Sequence, residues 1–169
     1  MLGLATLAAD DRAALRDFQR RTASLQRAVM GAEALVSELG SRLKSMRGAI
    51  PLATALDAGV DARARALELE LEEISIALSG DKFLASQQET TPPSISDRVL
   101  NVVYASWYAT AEPTTTQRDA YRHAGEEFAA QLTRLRSIVQ EKLPALEREL
   151  ESAGAPWTPG RLPVWSPEP

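Results

Sequence analysis

The residues best placed to do chemistry surround the only histidine, His123. Asp119 stands four positions before it, Glu126 three and Glu127 four positions after it, so each acid lies about one helical turn from the imidazole. Such a group could hold a divalent cation, or give the imidazole a carboxylate partner. The competing reading is a solvated helix face. A carboxylate-bridged di-metal centre needs a Glu-x-x-His pair on each of two helices, and one histidine cannot supply that. A Ser-His-Asp triad needs a serine held on a strand-to-helix elbow, and no such motif occurs. The adjacent acids Asp10-Asp11, Glu72-Glu73 and Glu126-Glu127 diverge by about 100° on a helix, so neither member reinforces the other. SGDKF, from Ser79, has one glycine and follows a helical run, unlike a phosphate-cradling loop. With no cysteine there is no thiolate ligand, disulfide or thiol nucleophile. The expectation is a chain without catalytic, metal-binding or cofactor-binding residues, hence not an enzyme and with no cofactor.

Aromatic side chains are the remaining candidates. Tyr104, Trp107 and Tyr108 cluster in one short stretch and could stack on a sugar or on a protein partner. Alternatively Trp107 packs inward and the tyrosines shelter the end of a helical bundle. Trp157 and Trp165 lie in a proline-spaced tail, where large rings cannot stand free without exposing apolar area. The tail either folds back over the helices or docks on another domain. These five residues are the candidate interaction residues.

The elements that must position them are helical. From Leu15 the apolar positions run Phe18, Thr22, Leu25, Val29, Ala32, Val36, Leu39, Leu43, Met46 and Ile50 in steps of three and four, a seam of about five heptads. A helix over 9–47 would be roughly 57 Å long, too long to stand alone in water. Pro51 ends it. Val60, Ala64, Leu67, Leu71, Ile74 and Leu78 form a second stripe, closed by Gly80. In ETTPPSISDRV, Pro92 and Pro93 stop helix and Ser94 or Ser96 caps the next one, whose inner face is Ile95, Val99, Val102, Ser106 and Ala109, widened by Leu100, Val103 and Trp107. Thr114 and Gln117 fit a capping box. The last stripe is Tyr121, Ala124, Phe128, Leu132, Leu135, Val139, Leu143, Leu146 and Leu150, with Gly154 just beyond. Pro144 falls inside it and should bend the helix at a cost of roughly 3 kcal/mol.

Two long and two shorter helices with modest loops imply an all-α fold, an antiparallel up-down-up-down four-helix bundle over 9–153. Residues 1–8 read as a linker or the start of a cut fragment, and 154–169 as an extended Pro-rich tail. In that topology Arg12, Arg16, Arg20 and Arg21 would face Glu147, Glu149 and Glu151, each pair contributing about 0 to 1 kcal/mol. The acidic second helix (Glu68, Glu70, Glu72, Glu73) would lie beside the first. A chain of 169 residues, 44% hydrophobic, suits one domain with a continuous core. Its net charge of -4 argues against nucleic acid as a partner, and no apolar run is long enough to span a membrane, so the expectation is a soluble chain.

The stretches LAADDRAALRDFQRRTASLQRAV, GDKFLASQQETTPPSISDRVLNVV, AEPTTTQRDAYRHAGEEF and LPALERELESAGAPWTPGRLP, in that order, resemble the C-terminal helical region of bacterial proteins built around a sortilin-like or neuraminidase-repeat β-propeller, often described as glycosyl hydrolase-like. What matches is the Pro-Pro segment, the Pro-Thr corner and the proline tail. Neither an Asp box nor a propeller strand pattern occurs, so the resemblance carries over no catalytic residue. It implies a non-catalytic accessory bundle that packs on a parent propeller or mediates assembly, and an exported setting. A free-standing coiled-coil-like adaptor or homodimer is the alternative, and a glycan-acting enzyme a third reading. The partners expected are protein, either the parent domain or a second copy, with no small-molecule ligand.

Overall fold

A computed structural model of the chain describes residues 9–53, 55, 57, 59–107 and 111–167. The linker expected at 1–8, together with Tyr108 and Ala109, lies outside the described residues. Among the described residues the fold is all-helical, with no strand. Helix α1 spans Ala9–Ala49, α2 Val60–Ser79, α3 Lys82–Ser86, α4 Ile95–Trp107, α5 Thr115–Ser137 and α6 Leu143–Ser152. A π-helical turn, Ile138–Lys142, joins α5 to α6, and a 3-10 turn, Ile50–Leu52, carries Pro51 at the end of α1.

The helix ends follow local chemistry. Ser94 and Asp97 form a reciprocal capping box: the Asp97 amide donates to Ser94 Oγ at 3.1 Å and the Ser94 amide to Asp97 Oδ2 at 3.0 Å. Thr114 and Gln117 repeat the device at α5, at 3.2 and 2.8 Å. At the end of α6, Gly154 takes φ 67° while the Ala155 amide donates to Leu150 O at 2.9 Å and the Gly154 amide to Glu151 O at 3.1 Å, the paired bonds of a Schellman stop. Helix α3 was not expected. Asp81 caps it by accepting from the amides of Phe83 and Leu84, a signal present in the sequence as an aspartate after Gly80.

The chain divides into two compact units. The first takes α1 up to Glu33, the last residues of α2 from Ser75, then α3, α4 and α5 to Leu132. Its core is Leu15, Phe18, Val29 and Ala32 of α1 against Ile95, Val99 and Val102 of α4 and Ala124 and Phe128 of α5. Phe18 meets the Tyr121 ring edge-on, centroids 5.7 Å apart. Thr22 is buried with its hydroxyl donated to Phe18 O at 2.9 Å, which is how a polar residue occupies a seam position. Helices α1 and α4 run antiparallel, because Gln19 touches Ser106 whereas Val29 and Glu33 adjoin Ser96 and Val99.

The second unit comprises α1 from Ala34, α2 to Ile74, and the chain from Thr133 onward. Val36, Leu39, Leu43 and Met46 pack with Val60, Ala64, Leu67, Leu71 and Ile74 and with Leu135, Ile138, Leu143, Leu146 and Leu150. Helix α2 is antiparallel to α1, since Arg47 bonds Asp61 and Glu68 while Gly40 lies against Leu71. It is also antiparallel to α6, since Arg63 pairs with Glu149 and Glu70 with Lys142. Within this unit α1 and α6 therefore run in the same direction. The expected alternation set the first and last helices against each other, and the ion pairs show why it does not hold here: Glu147 meets Arg42, Glu149 meets Arg63 and Glu151 lies near Arg161, whereas Arg20 and Arg21 bond their own helix through Asp17. The acidic second helix is shared as well, Glu68 facing Arg47 of α1, and Glu70 and Glu73 facing Lys142 and Arg134.

Around Pro144 the helix changes its winding. Proline has no N–H for the carbonyl of Gln140, and the preceding turn opens so that the Leu143 amide donates to Ile138 O, a five-residue step. Eight residues separate Leu135 from Leu143, which at about 100° each leaves them about 80° out of phase in a plain α-helix. The wider turn removes that drift and seats both leucines in the core. Ile138 is buried in consequence, in place of Val139, which is only half-buried along with Leu132, Leu25 and Ile50.

Candidate interaction surfaces

Helix α4 presents Tyr104 and Trp107 to solvent. Trp107 is 74% exposed, which corrects the inward placement expected for it. Ser106 occupies the buried position, and the next residue on a helix is turned about 100° away. The indole instead forms one wall of a groove of about 380 Å³ lined by Gln19, Thr22, Gln26, Val103 and Ser106. Gln19 Nε2 donates to Ser106 O at 3.1 Å, so one amide closes an unpaired carbonyl at the end of α4. The lining of this groove carries no charged side chain. Tyr108, grouped with these residues from the sequence, lies outside the described residues.

The tail starts with a clamp in the second unit. Thr158, Pro159, Gly160 and Arg161 form a turn closed by the Arg161 amide on Thr158 O at 3.2 Å, with Gly160 at φ 86°. Proline second and glycine third are what a type II turn requires. The glycine lies flat on Arg42: a Cβ there would come within 2.8 Å of Arg42 Nε. The Arg161 side chain is only 5% exposed, 3.6 Å from Glu151 and stacked on the Trp157 ring with Cζ 4.6 Å from its centroid. Ala155 and Thr158 are buried beside it. Beyond Arg161 the chain changes character, because Leu162, Val164 and Trp165 are all exposed, Trp165 at 83%. The tail thus lies on the helices as far as Arg161, and Trp157, 40% exposed, is covered on one face by Arg161 where Trp165 is not.

A third surface feature lies between α2 and α6. Ala66 and Leu67 of α2 lie opposite Ala145 and Leu146 of α6, and an ion pair closes each end, Arg63 with Glu149 at 2.6 Å and Lys142 with Glu70 at 2.6 Å. The result is an apolar slot of about 380 Å³ between two charged bars. The bars stand seven residues apart on each helix, about 10 Å. The Glu149 hydrogen bond, followed by Asp57, raises the Arg63 guanidinium above its ordinary value despite partial desolvation. Arg47 is raised in the same way, by Glu68 first and Asp61 second. The signal in the sequence was there: alanines at 66 and 145, each with a basic residue three positions before it and an acidic one four positions after it. It becomes visible only when the α2 to α6 register is known.

His123 sits on an exposed face, with Arg122 3.2 Å from Nε2 and Glu126 3.8 Å from Nδ1. Glu126 and Glu127 diverge as adjacent residues should: Glu126 turns back to Arg122, and Glu127 crosses to Arg98 of α4. Asp119 likewise faces Arg122. Among the described residues no three acids or histidines gather as a metal ion would need, and no helix is long and apolar enough to cross a membrane. Comparison with family models, curated proteins and solved structures finds no match to this chain.

Proposed function

We propose that this chain is a non-catalytic helical bundle of four long helical stretches, α1, α2, α4 and the α5 to α6 rod, that works as an interaction module. The observation that carries the reading is where its large apolar side chains lie. The helices seal Leu39, Leu43, Ile74 and Leu150 in the core, yet Tyr104, Trp107, Leu162, Val164 and Trp165 are left in water. Exposed aromatics gathered in short stretches are what protein-binding surfaces use for their anchoring contacts.

The finer reading is an accessory domain of a sortilin-like, glycosyl hydrolase-like β-propeller protein, supported by the order of the loop phrases described above. Sequencing the reading frame upstream of Met1 tests it. Propeller strands with Asp boxes are expected there, and a stop codon with no propeller gene nearby overturns the assignment. The non-catalytic part has its own test: the purified chain, incubated with a panel of glycosides, is expected to leave them intact, and turnover that survives purification overturns it. The second reading, a free-standing adaptor or homodimer, is favoured by the slot and the tail, which occur together in one chain.

A further inference from the structure

The slot between α2 and α6, about 380 Å³, has room for a large side chain. Its floor is apolar, and alanine at both Ala66 and Ala145 leaves room that larger residues would fill. Carboxylates stand at either end, Glu70 and Glu149. An indole matches that combination, having an apolar body and one N–H donor that needs an acceptor. The bars of Arg63 and Lys142 add cations able to lie against an aromatic face. A helix, about 10–12 Å across with its side chains, is too wide to seat between bars about 10 Å apart; one side chain on an extended segment is not.

This chain carries such a side chain. Trp165 is exposed in the proline-spaced tail, four residues past Arg161, a reach of about 13 Å when extended. The clamp of Gly160 on Arg42 and Arg161 on Trp157 holds the chain as far as Arg161. In the single chain, slot and indole are both uncovered. We propose that the slot receives Trp165 from the tail of a second copy, and that two copies exchange tails reciprocally. A two-fold exchange is closed, using the same patch on both copies, so it stops at a dimer. One indole removes about 150–250 Å² from water. Doubled by the slot surface it covers and doubled again by reciprocity, with Leu162 and Val164 added, the total reaches about 1,000 Å², the lower limit of a specific interface. The dimer is therefore weak and concentration-dependent.

The proposal rests on the reading of the chain as an interaction module, and the two fail separately: a monomer sinks the exchange alone, and glycoside turnover sinks only the non-catalytic reading. The test is sedimentation and light scattering of the full chain over a wide concentration range. The mass is expected to rise from 18.4 kDa toward twice that value. Trp165→Ala should hold the chain monomeric, as should Ala145→Leu, which fills the slot; unchanged circular dichroism shows that each still folds. An equimolar mixture of the two variants keeps one intact tail and one intact slot, and should regain part of the association that each has lost. Should Ala145→Leu misfold, Ala66→Leu fills the slot from the other helix. A constant mass across the range overturns the exchange, as does a dimer indifferent to Trp165→Ala. A fluorine label on Trp165 reporting burial at monomer mass also overturns it, since the tail would then close on its own slot.

Discussion

Leu43 is wholly buried, and its truncation removes both transfer free energy and packing. Leu43→Ala is expected to destabilise the chain by about 2–5 kcal/mol, read from the urea midpoint at unchanged slope. Trp107→Ala removes a larger side chain but an exposed one, so stability should change by no more than about 0.5 kcal/mol. Reversal of that order would place the ring in the core. Gly160→Ala combines two penalties, a left-handed φ that costs an L residue roughly 1–2 kcal/mol and a methyl driven against Arg42. Its expected signature is local: faster amide exchange at Arg161, with the helical signal retained. The raised Arg47 and Arg63 have a pH consequence with a definite sign. A base whose folded pKa exceeds its unfolded one contributes stability that is fully present below the unfolded value and is lost only as pH climbs through the folded value. Both arginines therefore stay charged through neutral and mildly alkaline solution, and melting curves across that span should show no step from either.

At the scale of elements, the wide turn before Pro144 makes the sharpest test. Ile138→Ala should cost about 2–4 kcal/mol more than the neighbouring Val139→Ala, because only the former empties a fully buried site. Equal costs would return this segment to plain α winding. Ser94→Ala breaks the capping box at α4 and should cost about 1 kcal/mol. The α5 cap could be read from the sequence, since Thr114 to Gln117 has the three-residue spacing that the geometry requires, whereas at α4 Ser94 and Ser96 stood as alternatives until the Asp97 bonds separated them; the seams of α1 and α2 followed from period alone. The step at Ile138 could not be read. Val139 and Ile138 are equally apolar, and Leu135, Val139 and Leu143 form an acceptable run of fours until the drift of successive α turns is summed. The direction of the last helix was equally hidden. Arginines near the start of α1 and glutamates near the end of α6 suggested a pairing that Asp17, Arg42 and Arg63 in fact take up. Charge pattern names signs and not partners, and each exposed pair is too weak to choose a topology.

For the molecule as a whole, the contrast on either side of Arg161 predicts how a protease meets the chain. Chymotrypsin should cut first after Trp165, with Leu162 protected by the proline that follows it, and mass spectrometry should find the remainder intact. Trypsin should be slow after Arg161, whose guanidinium is sealed against Trp157 and Glu151. Rapid tryptic loss of the tail would mean the clamp is not formed in solution. The tail was legible as proline-rich and non-helical, but its two tryptophans looked equivalent on paper. What separates them is the turn at Thr158 to Arg161, which lies against Arg42, a residue more than a hundred positions away. The same joint decides how the chain bears load. Whatever takes hold of Trp165 pulls through Arg161 on Glu151 of the last helix and through Gly160 on Arg42 of the first, so tension is divided between two rods at once. A tether built this way resists being peeled from its free end.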